Sequence, residues 1–176
     1  METNITIRKW NENDAEAVRN VLQQSWQDTY SSFIPKNDLD FYLDKTYSVD
    51  LLKQANENLA FTCFVSEANN KVCGWLKLYD CIEEKRFYLS SIYVLPEYQK
   101  LKIGIKFFEL ACSTAIEKHY KEIYIGVMVH NERVLNWYKK LGFVFIEEKP
   151  FSMGDTFVPH LIGKKILDKL AYSKKP

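Results

Sequence analysis

Two stretches of this chain carry residues whose types and spacing can do chemistry. The first runs from Ile92 to Ile105 and reads IYVLPEYQKLKIGI. Its β-branched and aromatic run stops at Pro96, crosses a short polar turn, and enters an apolar helical pattern at Gly104. A strand that feeds a helix through such a turn aims several backbone N–H groups at one spot. That spot lies at the positive end of the helix dipole, so it suits a phosphate or pyrophosphate. Lys100, Lys102 and Lys106 add positive charge there, although Lys100 and Lys106 fit equally well as solvated loop residues. The second stretch, Val129 to Phe143, contains Tyr138. A phenol with a pKa near ~10 is protonated at neutral pH and can return a proton to a leaving group. Spacing alone would put Tyr138 on the buried face of a helix with Val134, Leu135 and Leu141.

The elements that must hold these residues follow from periodicity. Asn4 to Trp10 alternates as a strand, and Asn11 or Asn13 caps a helix that buries Ala15, Val18, Val21, Leu22 and Trp26. Pro35 breaks the chain, and Asp38 to Thr46 and Val49 to Glu57 read as two short helices. Leu59 to Glu67 and Val72 to Tyr79 are strands joined by a polar turn at Ala68 to Lys71. Phe87 to Val94 is the next strand, Gly104 to Lys118 a helix, Ile123 to Val129 a strand, and Glu132 to Leu141 a helix ending at Gly142. Phe143 to Glu148 is a strand, and Thr156 to Ile166 the last, with Pro159 and Gly163 disturbing its regularity. Three consecutive strands in the middle exclude both a doubly wound and an all-β order. The fold class is therefore α+β, a mixed and largely antiparallel central sheet with helices on both faces.

Gln99 and Gly104, followed by Asn131, Tyr138, Gly142 and Phe143, resemble the acyl-CoA-binding core of the GNAT (GCN5-related N-acetyltransferase) superfamily. Lys102 stands where that family usually has its first Gly. If the position takes a positive φ, Lys there costs roughly 1–2 kcal/mol. The resemblance implies the GNAT fold, with a splay between the strands ending near Val94 and Val129. It also implies acetyl-CoA as co-substrate and direct attack by an amine in a ternary complex. Ile92, Tyr93 and Val94 would run beside the pantetheine arm, with the Val94 N–H polarising the thioester carbonyl. Gln99, Lys100, Lys102, Ile103, Gly104 and Ile105 would wrap the pyrophosphate. Asn131 would cap the helix and touch the pantetheine, Lys140 would reach the adenosine phosphates, and Tyr138 would protonate the thiolate. Many relatives carry a Glu in the strand before the donor loop, and Arg86 to Ser91 has none. Glu84, with Glu83 beside it, can act as base through water, and Ser90, Tyr88 or a backbone carbonyl can do the same.

Trp26 to Tyr30 and Pro150 to Asp155, with Tyr42-Leu43 and Leu51-Leu52 between, look like the bacterial spermidine/spermine-type N-acetyltransferases. A polyamine site should present carboxylates and aromatic faces in an acidic closed pocket. Asp28 and Tyr30 are the preferred substrate residues, with Asp38, Tyr42 and Asp155 also available. Acceptors of another kind are a protein N-terminus, a lysine or another small amine, and a peptide among them predicts an open groove. A catalytically silent CoA-binding or regulatory module is the alternative outside enzymes.

The chain of 176 residues is the length of one domain, expected over residues 1–170 with a flexible tail at 171–176. A net charge of +1 gives no reason to invoke nucleic acid or a membrane surface as partner. No apolar run approaches a membrane span. The polar start is unlike a signal peptide, which points to the cytoplasm. The four cysteines, Cys63, Cys73, Cys81 and Cys112, lack metal-ligand spacing, and no metal is expected. They read as buried thiols, although Cys63 and Cys73 can face each other across a hairpin. A content of 11 Tyr, 11 Phe and 4 Trp leaves room for a homodimer interface.

Overall fold

The structure is a computed structural model that describes residues 4–168 and 172. The strands are β1 (Ile5–Lys9), β2 (Phe61–Ala68), β3 (Lys71–Cys81), β4 (Arg86–Val94), β5 (Glu122–Met128), β6 (Val144–Lys149), β7 (Ser152–Met153), β8 (Thr156–Phe157) and β9 (His160–Ile166). The helices are α1 (Ala15–Tyr30), α2 (Lys36–Tyr47), α3 (Val49–Ala55), α4 (Ile103–Glu117) and α5 (Glu132–Lys140), with short 3-10 turns at Glu12–Asp14 and Pro96–Leu101. Seven strands form one sheet in the order β1-β2-β3-β4-β5-β9-β6. Every neighbouring pair is antiparallel except β4 and β5.

The alternation of side chains across the sheet assigns the helices to its faces. The Gly74 position opens toward Phe107 of α4, whereas Trp75 packs on Trp10 and Tyr47 on the opposite side. Trp26 of α1 meets Tyr93 of β4, and Tyr47 at the end of α2 meets Trp26, on that second face. Val18, Val21, Leu22 and Trp26 of α1 and Phe107, Phe108, Ala111 and Ala115 of α4 are buried, as their helical spacing requires. The entry to α1 is fixed by a capping box between Asn11 and Asp14. The Asp14 carboxylate also receives both arms of the Arg8 guanidinium at 2.8 Å. The β2–β3 turn places Asn69 and Asn70 at positive φ, which a tight hairpin needs and Asn tolerates.

The last expected strand is not continuous. It breaks after Phe157, because Pro159 has no N–H for the ladder, and resumes as β9 from His160. The freed segment pairs as the small β7–β8 hairpin, turning at Gly154 with φ +56°. Asp38 of α2 accepts the Asp155 N–H and the Thr156 hydroxyl there, so it anchors a turn rather than facing a ligand. Cys63 and Cys73 do not face each other, since Cys63 sits opposite Lys77. All four cysteines are free and buried. Among the described residues no helix is long and apolar enough to cross a membrane. The expected tail at 171–176 lies outside the described residues apart from Tyr172.

Candidate active site

The parallel pair β4–β5 is in register only at Tyr88 and Tyr124, and beyond that point the strands diverge. Two cavities fill the divergence. One, of about 670 Å³, lies toward the start of α4 and is lined by Ile92, Tyr93, Val94, Gln99, Lys102, Gly104, Ile105 and α5 residues from Arg133 to Lys140. The other, of about 400 Å³, lies under α1 and α2. Tyr30, Ile92, Tyr93, Asn131 and Tyr138 line both.

The backbone at the end of β4 faces the divergence. The Leu95 N–H donates to the Cys73 carbonyl at 2.9 Å, so that residue belongs to the ladder with β3. Val94 alternates with it and points its N–H and C=O the other way. Its carbonyl accepts from Ser25 Oγ at 3.2 Å and from Gln99 Nε2 at 3.3 Å. The Gln99 amide oxygen in turn accepts from Arg133 at 2.7 Å, which ties the turn after β4 to the start of α5. Gln99 therefore braces the turn with its side chain, and sequence reasoning missed both Ser25 and Arg133.

Lys102 is the N-cap of α4 and takes φ 59°, ψ 19°. This left-handed position is the one at which the sequence carries Lys instead of Gly. It aims the first N–H groups of α4, from Ile103 to Ile105, outward without side-chain caps. Ile103 contributes only backbone, because its side chain is wholly buried. Gly104 lies beneath Trp137, where an added Cβ would come within 3.7 Å of the indole. Lys140 lines the same cavity, while Lys100 is exposed and lines neither cavity. The free helix end, the Lys102, Arg133 and Lys140 cations and the open edge of β4 form a cleft that fits a long phosphorylated cofactor.

Asn131 caps α5 by accepting from the Val134 N–H at 3.3 Å. Tyr138 is buried one turn from the end of that helix, and burial raises its pKa well above that of an ordinary phenol. Its proton is thus present throughout the neutral range. Tyr30 and Tyr93 bring their hydroxyls to 3.2 Å across the passage between the cavities. Burial pushes Tyr30 up to about 12.

The smaller cavity is walled by rings: Trp26, Tyr42, Tyr47, Tyr88 and Phe151 besides the shared tyrosines. Its lining includes one carboxylate, that of Glu84. Glu84 accepts from Tyr88 at 2.5 Å and from Lys149 at 3.1 Å, and lies 3.5 Å from Arg86. These partners, Tyr88 foremost, hold its pKa below the usual carboxylate value and occupy its oxygens. Asp28 is not in this site. It is exposed on the outer side of α1, in a surface depression with Gln23, Gln27, Lys36 and Asp40. Asp155 is exposed at the β7–β8 turn and lines neither cavity. Phe151 comes from the Pro150–Asp155 segment singled out in the sequence, but sequence reasoning missed His160 and Lys149, which arrive from β9 and β6. No spacing signal connects them to the motifs.

With this geometry in view, comparison with known proteins is decisive at the level of family. A model of the Acetyltransferase (GNAT) family matches residues 16–143. The chain belongs to the GNAT family and is an acetyl-CoA-dependent N-acetyltransferase. It is 23% identical over 171 residues to an uncharacterized N-acetyltransferase from the pepI 3′ region of Lactobacillus delbrueckii subsp. lactis, covering 94% of this chain and 99% of that one. A thialysine N-epsilon-acetyltransferase of Bos taurus is 33% identical over 64 residues, 36% of this chain and 38% of its own. In fold the chain is similar to the PaiA N-acetyltransferase of Thermoplasma acidophilum crystallised with coenzyme A. That match has a TM-score of 0.80 at 24% identity over 93% of this chain and 99% of that one. YncA of Salmonella typhimurium, with its cofactor acetyl-CoA, matches at TM-score 0.70 and 21% identity, over 99% and 98% of the two chains.

Proposed function

We propose that the enzyme moves the acetyl group directly to a primary amine that carries a single ammonium group, held among aromatic rings. The observation that carries this reading is the wall common to the two cavities. A donor in the larger cavity and an amine in the smaller one meet at Tyr93, Asn131 and Tyr138, beside Val94. Ile92 to Val94 offer an open strand edge to the amides of the pantetheine arm. The N–H groups of Ile103, Gly104 and Ile105, with Lys102, Arg133 and Lys140, favour its phosphates. The Val94 N–H is directed at the point where charge develops on the thioester oxygen. Tyr138 supplies the proton that the departing thiolate needs. No covalent enzyme intermediate is required.

The acceptor class follows from the lining. A polyamine brings several ammonium groups and needs several free carboxylates. Among the described lining residues the only carboxylate is Glu84, already shared by Tyr88, Lys149 and Arg86. Rings can hold one ammonium by cation–π attraction without a counter-ion. The decisive assay is thiol release from acetyl-CoA with butylamine, 2-phenylethylamine, lysine, thialysine, an N-terminal peptide, spermidine and spermine. Turnover led by the amines with one ammonium supports the reading. A kcat/KM for spermidine tenfold above every other amine would overturn the acceptor class. Binding of acetyl-CoA with no turnover of any amine would overturn the activity.

A further inference from the structure

We propose that His160 is the group that takes the proton from the incoming ammonium, an assignment that rests on the acetyl-transfer reading above. The side chain lies at the first position of β9, between Met128 of β5 and Lys149 of β6, at the end of the sheet where β4 and β5 diverge. It lines the acceptor cavity and not the donor cavity. Phe151 stacks on it with ring centroids 4.0 Å apart and an interplanar angle of 19°, which fixes the plane of the imidazole. Gly126 on β5 leaves the ring edge uncovered, since a Cβ there would lie 3.4 Å from Nδ1. Among the described residues neither ring nitrogen has a hydrogen-bond partner. Both nitrogens also escape the set of fully enclosed polar atoms without partners. An imidazole held this way keeps a lone pair free for something that enters the cavity.

Two competing groups, Glu84 and Tyr88, are engaged. The Glu84 carboxylate accepts from Tyr88 and Lys149 with Arg86 3.5 Å away, and the Tyr88 hydroxyl donates to it while accepting from Arg86 at 3.3 Å. The charged and titratable groups facing His160 are few. Lys149 lies opposite on β6 and is paired with Glu84 from the β3–β4 turn. Tyr42 reaches from α2 to Phe151, with centroids 5.6 Å apart. The flanking β5 residues, Gly126 to Met128, carry no ionisable group. Burial alone holds the imidazole down to about 4, so at pH 7 it is neutral with a free lone pair, and it relays the proton onward rather than keeping it.

The ammonium loses one proton to the His160 lone pair, and the freed nitrogen pair forms the new N–C bond to the acetyl carbon. The C–S bond breaks, and the thiolate takes the Tyr138 proton. The second amine proton passes to the Tyr138 oxygen, and His160 releases the first one to solvent. The products are the acetamide, the free thiol and one proton in solution.

The test compares wild type with His160→Phe, which keeps the stacked ring but has no lone pair, and with His160→Asn, which keeps a polar group but no base. The reaction uses 2-phenylethylamine, or whichever amine of the panel is turned over fastest, from pH 6.5 to 9.5. Both variants are expected to lose about a hundredfold in kcat/KM at pH 7. Their deficit should shrink as pH rises and solution supplies the free amine, so log kcat/KM climbs more steeply with pH than in wild type. Acetyl-CoA affinity by calorimetry should stay within twofold, which also reports that the variants fold. His160→Phe activity within threefold of wild type at pH 7 would overturn the assignment, as would profiles parallel at every pH. Absence of turnover in wild type itself is a separate result. It removes the acetyl-transfer reading, and this assignment with it, before any variant is compared.

Discussion

The two cavities are built by different means. The donor half joins backbone from nearly contiguous sequence, the edge of β4, the turn after it and the first N–H groups of α4, to side chains from one face of α5. The acceptor half is made of side chains sent from α1, α2, β4, β5, β6, the β7 hairpin and β9. A backbone site tolerates change in most of its side chains, because its donors belong to every residue. A side-chain site changes with each substitution. That difference explains how one fold can keep one co-substrate while varying the amine it serves.

Breaking the wall between the halves should have the largest effect. Tyr138→Phe removes the proton for the thiolate and keeps the packing against Phe143, whose ring lies 5.2 Å away. It is expected to lower kcat about tenfold or more while the calorimetric affinity for acetyl-CoA stays unchanged. An unaltered kcat would take Tyr138 out of the chemistry.

On the acceptor side, the engaged state of Glu84 predicts a small response. Glu84→Gln should change kcat less than threefold, since the carboxylate already serves Tyr88 and Lys149. A loss of a hundredfold would restore it as the base. Asp28→Asn should be silent in both kcat and KM, given its place on the outer side of α1.

The motif residues were legible because each motif is local in sequence. Gln99, Gly104, Asn131 and Tyr138 keep fixed separations along a strand, turn and helix whose boundaries the periodicity gives to within about two residues. The mixed, largely antiparallel sheet and the helices on both faces followed from the same pattern, whereas the order of strands within the sheet did not. What could not be read depends on contacts between distant segments. Asp28 and Tyr30 lie two positions apart on α1, yet the 3.6-residue turn sends Asp28 outward and Tyr30 into the cavity. His160 meets Phe151 only because Pro159 breaks the last strand and folds a hairpin out of it. Asp38 looked available for an ammonium until that hairpin claimed it.

Two smaller effects sharpen the contrast. His160 takes up its proton at about 4 in the folded chain and near the ordinary value of 6.5 when unfolded. As pH falls from 6.5 toward 4, the unfolded state binds a proton that the folded state refuses, so stability declines across that window. The loss is on the order of 2–3 kcal/mol. In urea titrations at pH 6.5 and 4.5, His160→Phe should lose less stability between the two than wild type does. Equal losses would mean that the imidazole is not buried neutral. In the donor half, Lys102→Gly relieves the left-handed backbone at φ 59° and should stabilise the fold by up to ~1 kcal/mol. Its KM for acetyl-CoA should rise a few-fold if the ammonium attracts phosphate, a split that thermal melts and initial rates separate.

Direct transfer requires both cavities to be filled at once, so that the acetyl group crosses their common wall. Initial rates measured over a grid of acetyl-CoA and amine concentrations test it most directly. Direct transfer gives double-reciprocal lines that intersect, and no acetylated protein by mass spectrometry after incubation with acetyl-CoA alone. Parallel lines, together with a stoichiometric acetyl-enzyme that transfers its group to added amine, would contradict it.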